Sequence, residues 1–273
     1  MCPHCRAFIT SDDSVCPYCD APVGPRAIDV RQPGEVLGGL IPHAHFTTVL
    51  ILLVNFGVYI ATAIYAMQTH RGDFFNLDTT TLYLFGAKFG PRIVQSGDWW
   101  RLITAGFLHG GIIHIGMNCW VLYDLGAQVE EAYGTARFLV IYFLTSVAGF
   151  YASMLWRPMT PSVGASAALF GLIGAMIALG TRAGTSQGLA LRSAYVRWAI
   201  YGMLMGFLIP QVDNAAHIGG LAAGFAMAYV VGTPRLVGGQ ESLWKWAAAL
   251  CVVATGWAFY KAVMFMIFAA PQL

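Results

Sequence analysis

The chain has 273 residues, of which 58% are hydrophobic and only 10% are charged, against roughly 25% charged in an average soluble domain. Its formal net charge of +2 is too small to suggest nucleic-acid binding. Because the apolar residues are gathered into long blocks, the composition excludes an ordinary soluble domain and predicts an all-α, polytopic membrane protein.

Four cysteines near the start of the chain form two CxxC pairs, Cys2 with Cys5 and Cys16 with Cys19. Four thiolates at this spacing suit one tetrahedral ion, so we expect residues 1–24 to fold as a small ribbon around a structural zinc. A disulfide framework is the alternative, and an N-terminus in the reducing cytoplasm argues against it. The pattern does not indicate what the ribbon recognises.

Residues 25–45 are rich in proline and glycine and are expected to form a linker with a short interfacial segment. Residues 46–273 form the predicted membrane domain, because a spanning helix needs about 20 mostly apolar residues. Seven spans are predicted, at 46–67, 103–125, 137–155, 166–181, 195–211, 215–232 and 246–268. Lys261 falls inside the last span, and we expect it to snorkel to the interface.

The orientation of the chain in the membrane follows from its charges. No basic stretch with an apolar core precedes the first span, so no signal peptide is predicted. With the N-terminus in the cytoplasm, Arg182, Arg192 and Arg197 cluster in and beside a short cytoplasmic loop. We therefore expect an integral protein of the inner or plasma membrane with its N-terminus inside.

Polar side chains inside apolar spans are costly, and they mark functional hypotheses. His114 and Asn118 are four residues apart and therefore project from one face of a helix. His217 shares a face with Gly220 and Gly224, and glycines at this spacing let a second helix approach closely. The fourth span offers a matching surface of small residues, namely Ala167, Gly171 and Gly174.

Packing these two spans together would bring His217 next to Ser166, which follows Gly164 in the first turn of the fourth span. Histidine is the commonest general base, and serine becomes a good nucleophile when such a base takes its proton. Unpaired N–H groups at a helix N-terminus favour a developing oxyanion, and His114 and Asn118 are suited to donate further hydrogen bonds. Because Asp213 lies just outside the spans, we expect a Ser–His dyad rather than a triad.

Each of these residues also has a structural interpretation when it is taken alone. A single intramembrane histidine or asparagine is usually an interhelical hydrogen-bonding residue. A serine in an apolar helix can return its hydroxyl to the carbonyl one turn back. The joint placement of four such residues on three helices, towards one face of the membrane, favours catalysis.

Over residues 46–232 the chain resembles the rhomboid family of intramembrane serine proteases. The resemblance rests on five motifs in family order, which are Trp100-Arg101, His114 with Asn118, Gly126 with Glu130 and Gly134, Gly164-Ala165-Ser166-Ala167, and Ala216-His217 with Gly220 and Gly224. It implies a six-helix bundle, here with an extra C-terminal helix near 246–268, and catalysis without a cofactor.

The resemblance also implies roles for the central residues. Ser166 would be the nucleophile and His217 the base. His114, Asn118 and the Ser166 backbone N–H would form the oxyanion hole. Many relatives carry a tyrosine one turn after the serine, whereas this chain has Phe170, which retains the ring but not the hydroxyl.

Five further residues receive supporting roles from the resemblance. His109 is expected to make a structural hydrogen bond near a water-filled cavity. Glu130 is expected to tie down the cytoplasmic loop through buried hydrogen bonds. Trp100 and Arg101, together with the adjacent Trp99, are expected to anchor a partly submerged first loop at the interface.

The sequence thus favours a serine endopeptidase that cuts membrane-protein substrates in or near their transmembrane helices. One alternative is a catalytically inactive relative that binds transmembrane helices for quality control, although such relatives typically lose the serine or the histidine. The other alternative is a transporter, whose midplane sites also use polar residues and Gly-rich helices. A cytoplasmic adaptor or a substrate is the expected partner of the ribbon.

Overall fold

The computed structural model describes residues 4–5, 15–22, 46–209, 211–232 and 240–269. The chain divides into two compact units, Met1–His43 and Ala44–Leu273, and each is described by itself. In the first unit, the Cys16 N–H donates to the Ala21 carbonyl at 2.9 Å, and the Asp20 N–H donates to the Cys16 carbonyl at 3.0 Å. Cys2 and the linker expected at 25–45 lie outside the described residues.

The second unit is built from helices. They are α1 (Phe46–Gln68), α2 (Thr79–Phe85), α3 (Gly90–Ser96), α4 (Arg101–Thr104), α5 (Ile112–Val121), α6 (Ala127–Tyr133), α7 (Thr135–Trp156), α8 (Ser166–Ala183), α9 (Ser186–Leu208), α10 (Asn214–Val231) and α11 (Gln240–Ala269). Five of these helices are long and apolar enough to cross a membrane: α1, α7, α8, α10 and most of α11. The prediction of an all-α polytopic fold is confirmed, including the extra C-terminal helix.

The second predicted span, 103–125, does not form one continuous helix. After α4 the chain makes a 3₁₀ turn over Ala105–Phe107, and α5 begins only at Ile112. The backbone between them pairs with the first loop instead, since the Gly110 carbonyl accepts from the Leu77 N–H at 3.0 Å and the Ile112 N–H donates to the Phe75 carbonyl at 3.0 Å. The continuous helical segment in this region therefore begins at Ile112 and runs through α5, a π-helical turn over Leu122–Gly126 and α6.

Helices α7, α8 and α10 pack at backbone contact through small residues. A Cβ added at Gly220 or Gly224 would overlap the carbonyl oxygen of Ala167 or Gly171 on α8. A Cβ added at Gly149 on α7 would likewise be too close to the Ala216 carbonyl oxygen on α10 and to the Ala167 Cβ on α8. Because a methyl group has no room at these contacts, the helix backbones approach more closely than larger side chains would allow.

Glu130 on α6 holds the start of α1. Its buried carboxylate accepts from the Thr47 N–H at 3.3 Å, from the Thr48 N–H at 3.1 Å and from the Thr48 hydroxyl at 3.0 Å. It also accepts from the Thr135 hydroxyl at 3.0 Å. The carboxylate therefore satisfies N–H groups that have no partner within α1, and it links α1 to the start of α7.

Helix α11 is attached to the bundle near both of its ends. Arg137 on α7 forms an ion pair with Glu241 at 2.5 Å, and its guanidinium lies 5.2 Å from the Trp244 ring centroid. At the other end, Phe265 lies 4.6 Å from the Arg101 guanidinium. The buried Ala258 and Ala262 lie between these contacts along α11.

Candidate active site

Ser166 and His217 are brought together by the packing of α8 on α10. Ser166 is the first residue of α8, and His217 lies in the first turn of α10. The Ser166 Oγ and the His217 Nε2 are 2.9 Å apart, which is hydrogen-bonding distance. Ser166 is partly exposed while both of its neighbours, Ala165 and Ala167, are buried, so the hydroxyl is the accessible group of this turn.

Phe170 fixes the plane of the histidine ring. Its ring stacks on His217 with centroids 4.2 Å apart and an interplanar angle of 14°. Phe170 follows Ser166 by one helical turn, so one face of α8 presents both the hydroxyl and the ring to His217. Phe170 therefore supplies the ring stacking expected at this position, without a hydroxyl.

No carboxylate in the described part of the chain pairs with the other nitrogen of this histidine. The His217 Nδ1 is buried and has no hydrogen-bond partner among these residues. Asp213 instead caps α10, accepting from the Ala216 N–H at 3.2 Å, and it pairs with the Ser153 hydroxyl. The arrangement is thus a serine–histidine pair without an acidic third member.

His114 approaches the same turn from α5. Its Nδ1 accepts from the Gly110 N–H at 3.3 Å, so in the neutral ring the proton is on Nε2. A Cβ added at Gly164 would lie 2.7 Å from that Nε2, and Gly164 has a φ of +128°. Glycine is therefore required at position 164 both by the backbone conformation and by the close approach of the imidazole.

The other two polar residues expected near the site make different contacts. The Asn118 amide donates to the His114 carbonyl at 2.9 Å, within its own helix. The His109 Nε2 accepts from the Ala165 N–H at 3.5 Å, and its ring lies 5.1 Å from the His114 ring. His109 thus holds the backbone immediately before Ser166, and the Asn118 side chain lies one turn below His114.

The expectation that Trp100 and Arg101 anchor the first loop at the membrane interface is wrong. Both side chains are inside the protein, with exposed fractions of 2% and 0%. The Arg101 guanidinium donates to the carbonyls of Tyr83 at 2.7 Å and Ala87 at 3.1 Å. The physical reason is that carbonyls in the last turn of α2 and in the loop after it need further donors, and a guanidinium supplies several in a fixed geometry.

Sequence reasoning missed three residues that contact the segments next to Ser166 or His217: Lys88, Asp213 and Gly149. The sequence analysis treats Asp213 only as a possible third catalytic residue. An aspartate directly before a helix is also typical of an N-cap, and here its carboxylate accepts from the Ala216 N–H. Gly149 lies in an ordinary apolar span with no adjacent motif. Lys88 lies in a loop, where a charged residue is normally taken to be solvated.

Three of the ribbon cysteines lie together. The Sγ atoms of Cys5, Cys16 and Cys19 are all within 4.8 Å of one another, and those of Cys5 and Cys16 are 3.6 Å apart. Thiolates arranged tetrahedrally at about 2.3 Å from a zinc ion are separated by about 3.8 Å. The spacing of the three thiols therefore fits three of the four ligands of a tetrahedral zinc ion.

Comparison with known proteins finds a match to the family model described as Rhomboid domain over residues 96–234. The rhomboid protease GluP of Bacillus subtilis is 38% identical over 185 residues, which are 67% of this chain and 36% of GluP. The mitochondrial RHOMBOID-like protein 6 of Arabidopsis thaliana is 39% identical over 59% of this chain and 53% of its own length. The matched region thus covers between a third and a little over half of these two relatives.

One similar protein is described as inactive. The Inactive RHOMBOID-like protein 8 of Arabidopsis thaliana is 32% identical over 143 residues, which are 52% of this chain and 40% of that protein. Likeness to such proteins therefore does not by itself distinguish an active protease from an inactive relative.

Proposed function

The chain belongs to the rhomboid family, and we propose that it is an intramembrane serine endopeptidase that hydrolyses peptide bonds in or near the transmembrane helices of other membrane proteins. The observation that carries the proposal is the 2.9 Å separation of the Ser166 Oγ from the His217 Nε2. Family membership supports the protease class, and the geometry supports its assignment to these two residues.

In the proposed mechanism, the His217 Nε2 accepts the Ser166 proton while the Oγ attacks the carbonyl carbon of the scissile bond. The carbonyl oxygen becomes an oxyanion, which receives hydrogen bonds from the Ser166 backbone N–H and from the His114 Nε2–H. The tetrahedral intermediate collapses, and protonated His217 donates its proton to the leaving amine. A water molecule then gives a proton to His217 while its oxygen attacks the acyl carbon, and the bond from that carbon to the Ser166 Oγ breaks as His217 returns the proton to the Oγ.

Asn118 has a supporting part in this proposal. Its amide donates to the His114 carbonyl, so it stabilises the turn that carries the imidazole. The family resemblance implies that this amide also serves as a third donor to the oxyanion. Removal of one oxyanion donor typically reduces kcat by about 10²–10³-fold, and loss of a positioning contact reduces it less.

The test is cleavage of a transmembrane substrate by the purified protein in proteoliposomes. Wild type should cleave, whereas Ser166→Ala and His217→Ala should lose at least about 10²-fold in rate. Ser193→Ala, at an exposed serine on α9, is the matched control and should cleave as wild type does. Cleavage by Ser166→Ala would contradict the proposal.

The second candidate function is the binding of transmembrane helices without proteolysis, and it is suggested by the relative that is described as inactive. A protein of this class would bind transmembrane helices without cutting them. If wild type retains a labelled transmembrane helix on co-purification and no product forms at any enzyme concentration, helix binding replaces proteolysis as the function.

For the N-terminal unit we propose that Cys2, Cys5, Cys16 and Cys19 hold a structural zinc ion. We also propose that the helical bundle lies in the inner or plasma membrane of the cell and that the ribbon faces the cytoplasm. Zinc there would supply most of the folding free energy of a unit too short for a core. We further propose that the ribbon recruits a substrate or adaptor. Deleting residues 1–24 should slow cleavage of a native substrate more than that of a generic one, and equal slowing would contradict recruitment.

A further inference from the structure

Lys88 is the most deeply buried lysine in the described part of the chain. Its side chain is 0% exposed, and its Nζ donates to the carbonyls of Arg157 at 3.0 Å and Thr160 at 2.7 Å. Its backbone pairs with Ser162 in both directions, each hydrogen bond being 3.0 Å long. Lysines are almost never fully buried unless their charge is compensated, so this contact requires an explanation.

The segment that Lys88 holds leads directly into the nucleophile. Residues 157–165 connect the end of α7 to Ser166, and they contain no regular helix of their own. The Gly164 N–H donates to the Ala105 carbonyl at 2.9 Å, which fixes the last part of the segment. Lys88 fixes its first part, so the two contacts together determine where the Ser166 turn begins.

Asp213 binds the same segment from the other side. Its carboxylate accepts from the Ser153 hydroxyl on α7 and from the Ala216 N–H at the start of α10, and the Ser162 side chain is close enough to help lower its pKa. The Asp213 carbonyl accepts from the His217 N–H at 3.2 Å. Asp213 thus contacts the segment before the serine, the end of α7 and the turn that carries the histidine.

Lys88 and Asp213 also interact electrostatically. Burial lowers the pKa of Lys88 to about 8, and this shift is opposed by the negative charge of Asp213 and reinforced by the positive charge of Arg157. For Asp213, burial raises the pKa, but hydrogen bonds from Ser153, Ser162 and the Ala216 N–H, together with the charge of Lys88, outweigh burial and leave the pKa below its ordinary value. At neutral pH the buried Lys88 and the half-buried Asp213 therefore carry opposite charges that attract each other.

We propose that Lys88 and Asp213 act together as positioning residues, which hold the segment 157–165 against the start of α10 and so keep Ser166 and His217 within hydrogen-bonding distance. The inference rests on the proposed proteolytic function. Neither residue touches the reacting atoms, and their effect passes through the backbone on each side of the pair. Since a displacement of about 1 Å in a reacting group can cost 10²-fold in rate, loss of either charge should lower kcat and leave KM unchanged.

The experiment compares wild type with Lys88→Met, Lys88→Arg and Asp213→Asn in proteoliposomes from pH 6 to 10, measuring kcat, KM and the melting temperature. Lys245→Met, at an exposed lysine on α11, is the matched control. Wild-type kcat should fall as pH rises through about 8, where Lys88 loses its charge. Lys88→Met should have at least tenfold lower kcat at pH 7 without this alkaline fall, and Lys88→Arg should restore kcat and move the fall to higher pH.

The melting temperature should change in the opposite direction. A lysine whose pKa is lowered in the folded state binds fewer protons there than in the unfolded state between about pH 8 and its ordinary pKa of about 10.4. Stability contributed by Lys88 therefore rises with pH over the range in which kcat falls. If Lys88 had a merely structural role, kcat would rise with pH together with the melting temperature, and that result would overturn the proposal.

Two other outcomes also decide the matter. A Lys88→Met variant with wild-type kcat and the wild-type alkaline fall would overturn the proposal while leaving the proteolytic function intact. If wild type itself does not cleave, the proteolytic function is refuted. The interaction between Lys88 and Asp213 is then tested by the unfolding free energies of the variants. Destabilisation of the double variant Lys88→Met/Asp213→Asn equal to the sum of the two single variants would then overturn the pairing.

Discussion

Gly149→Ala tests how closely the proposed catalytic pair depends on helix packing. The added Cβ would lie 2.6 Å from the Ala216 carbonyl oxygen and 2.8 Å from the Ala167 Cβ. These two residues are the chain neighbours of His217 and Ser166. Ordinary contacts are about 3.3–3.6 Å long between carbon and oxygen and about 3.5–4.0 Å between two carbons, so each neighbour must move by at least about 0.7 Å.

The size of the effect follows from that displacement. If α8 and α10 separate by about 0.7 Å, the hydrogen bond between Ser166 and His217 lengthens beyond about 3.5 Å and is lost. General-base catalysis contributes about 10²–10⁴-fold, so we expect kcat to fall by at least tenfold. Overpacking should cost about 1–3 kcal/mol of unfolding free energy, offset in part by the higher helix propensity of alanine.

The assay measures proteoliposome cleavage and thermal unfolding on the same preparation. The matched control is Gly256→Ala on α11, where an added Cβ meets no atom within 4 Å. The control should keep wild-type kcat and gain slightly in melting temperature. A Gly149→Ala variant with wild-type kcat and melting temperature would refute the reasoning, because the methyl group would then have been accommodated without displacing either neighbour.

Three further substitutions address separate contacts. Phe170→Ala removes the ring stacked on His217 and should lower kcat about tenfold, whereas Phe170→Tyr should retain it; equal rates for both would contradict a stacking role. Glu130→Gln replaces an acceptor of two backbone N–H groups and should lower the unfolding free energy by about 1–3 kcal/mol, with unchanged cleavage per folded molecule. Arg137→Met unpairs the partly exposed Glu241 and should cost about 1 kcal/mol, measured by thermal melts.

The parts of this molecule that sequence predicts well are those governed by local periodicity. Apolar blocks of spanning length identified most of the long helices, and the spacing of Gly220 and Gly224 from His217 indicated which face of α10 meets α8. Both features depend on residues within two or three turns of each other. A regular repeat therefore suffices to infer them.

Where no motif marks the two partners, contacts between residues that are distant in the chain could not be predicted. The break before Ile112 arises because the first loop supplies backbone partners to Gly110, and nothing near residue 110 reveals that pairing. Glu130 contacts Thr47 across 83 residues, and Lys88 contacts Thr160 across 72 residues. Loop residues such as Arg101 look solvated in sequence because their partners are backbone carbonyls, which any residue type provides.

The separation of Ser166 and His217 along the chain has a consequence for biosynthesis. The two residues are 51 positions apart, and they meet only through the packing of α8 against α10. At about 5–20 residues per second, the ribosome adds the histidine about 3–10 s after the serine. During that interval α8 and α9 are added to the growing chain, but the base proposed for the serine hydroxyl is still missing. If the proposed function holds, a nascent chain therefore cannot cut its neighbours at the site of insertion before α10 has been made and packed.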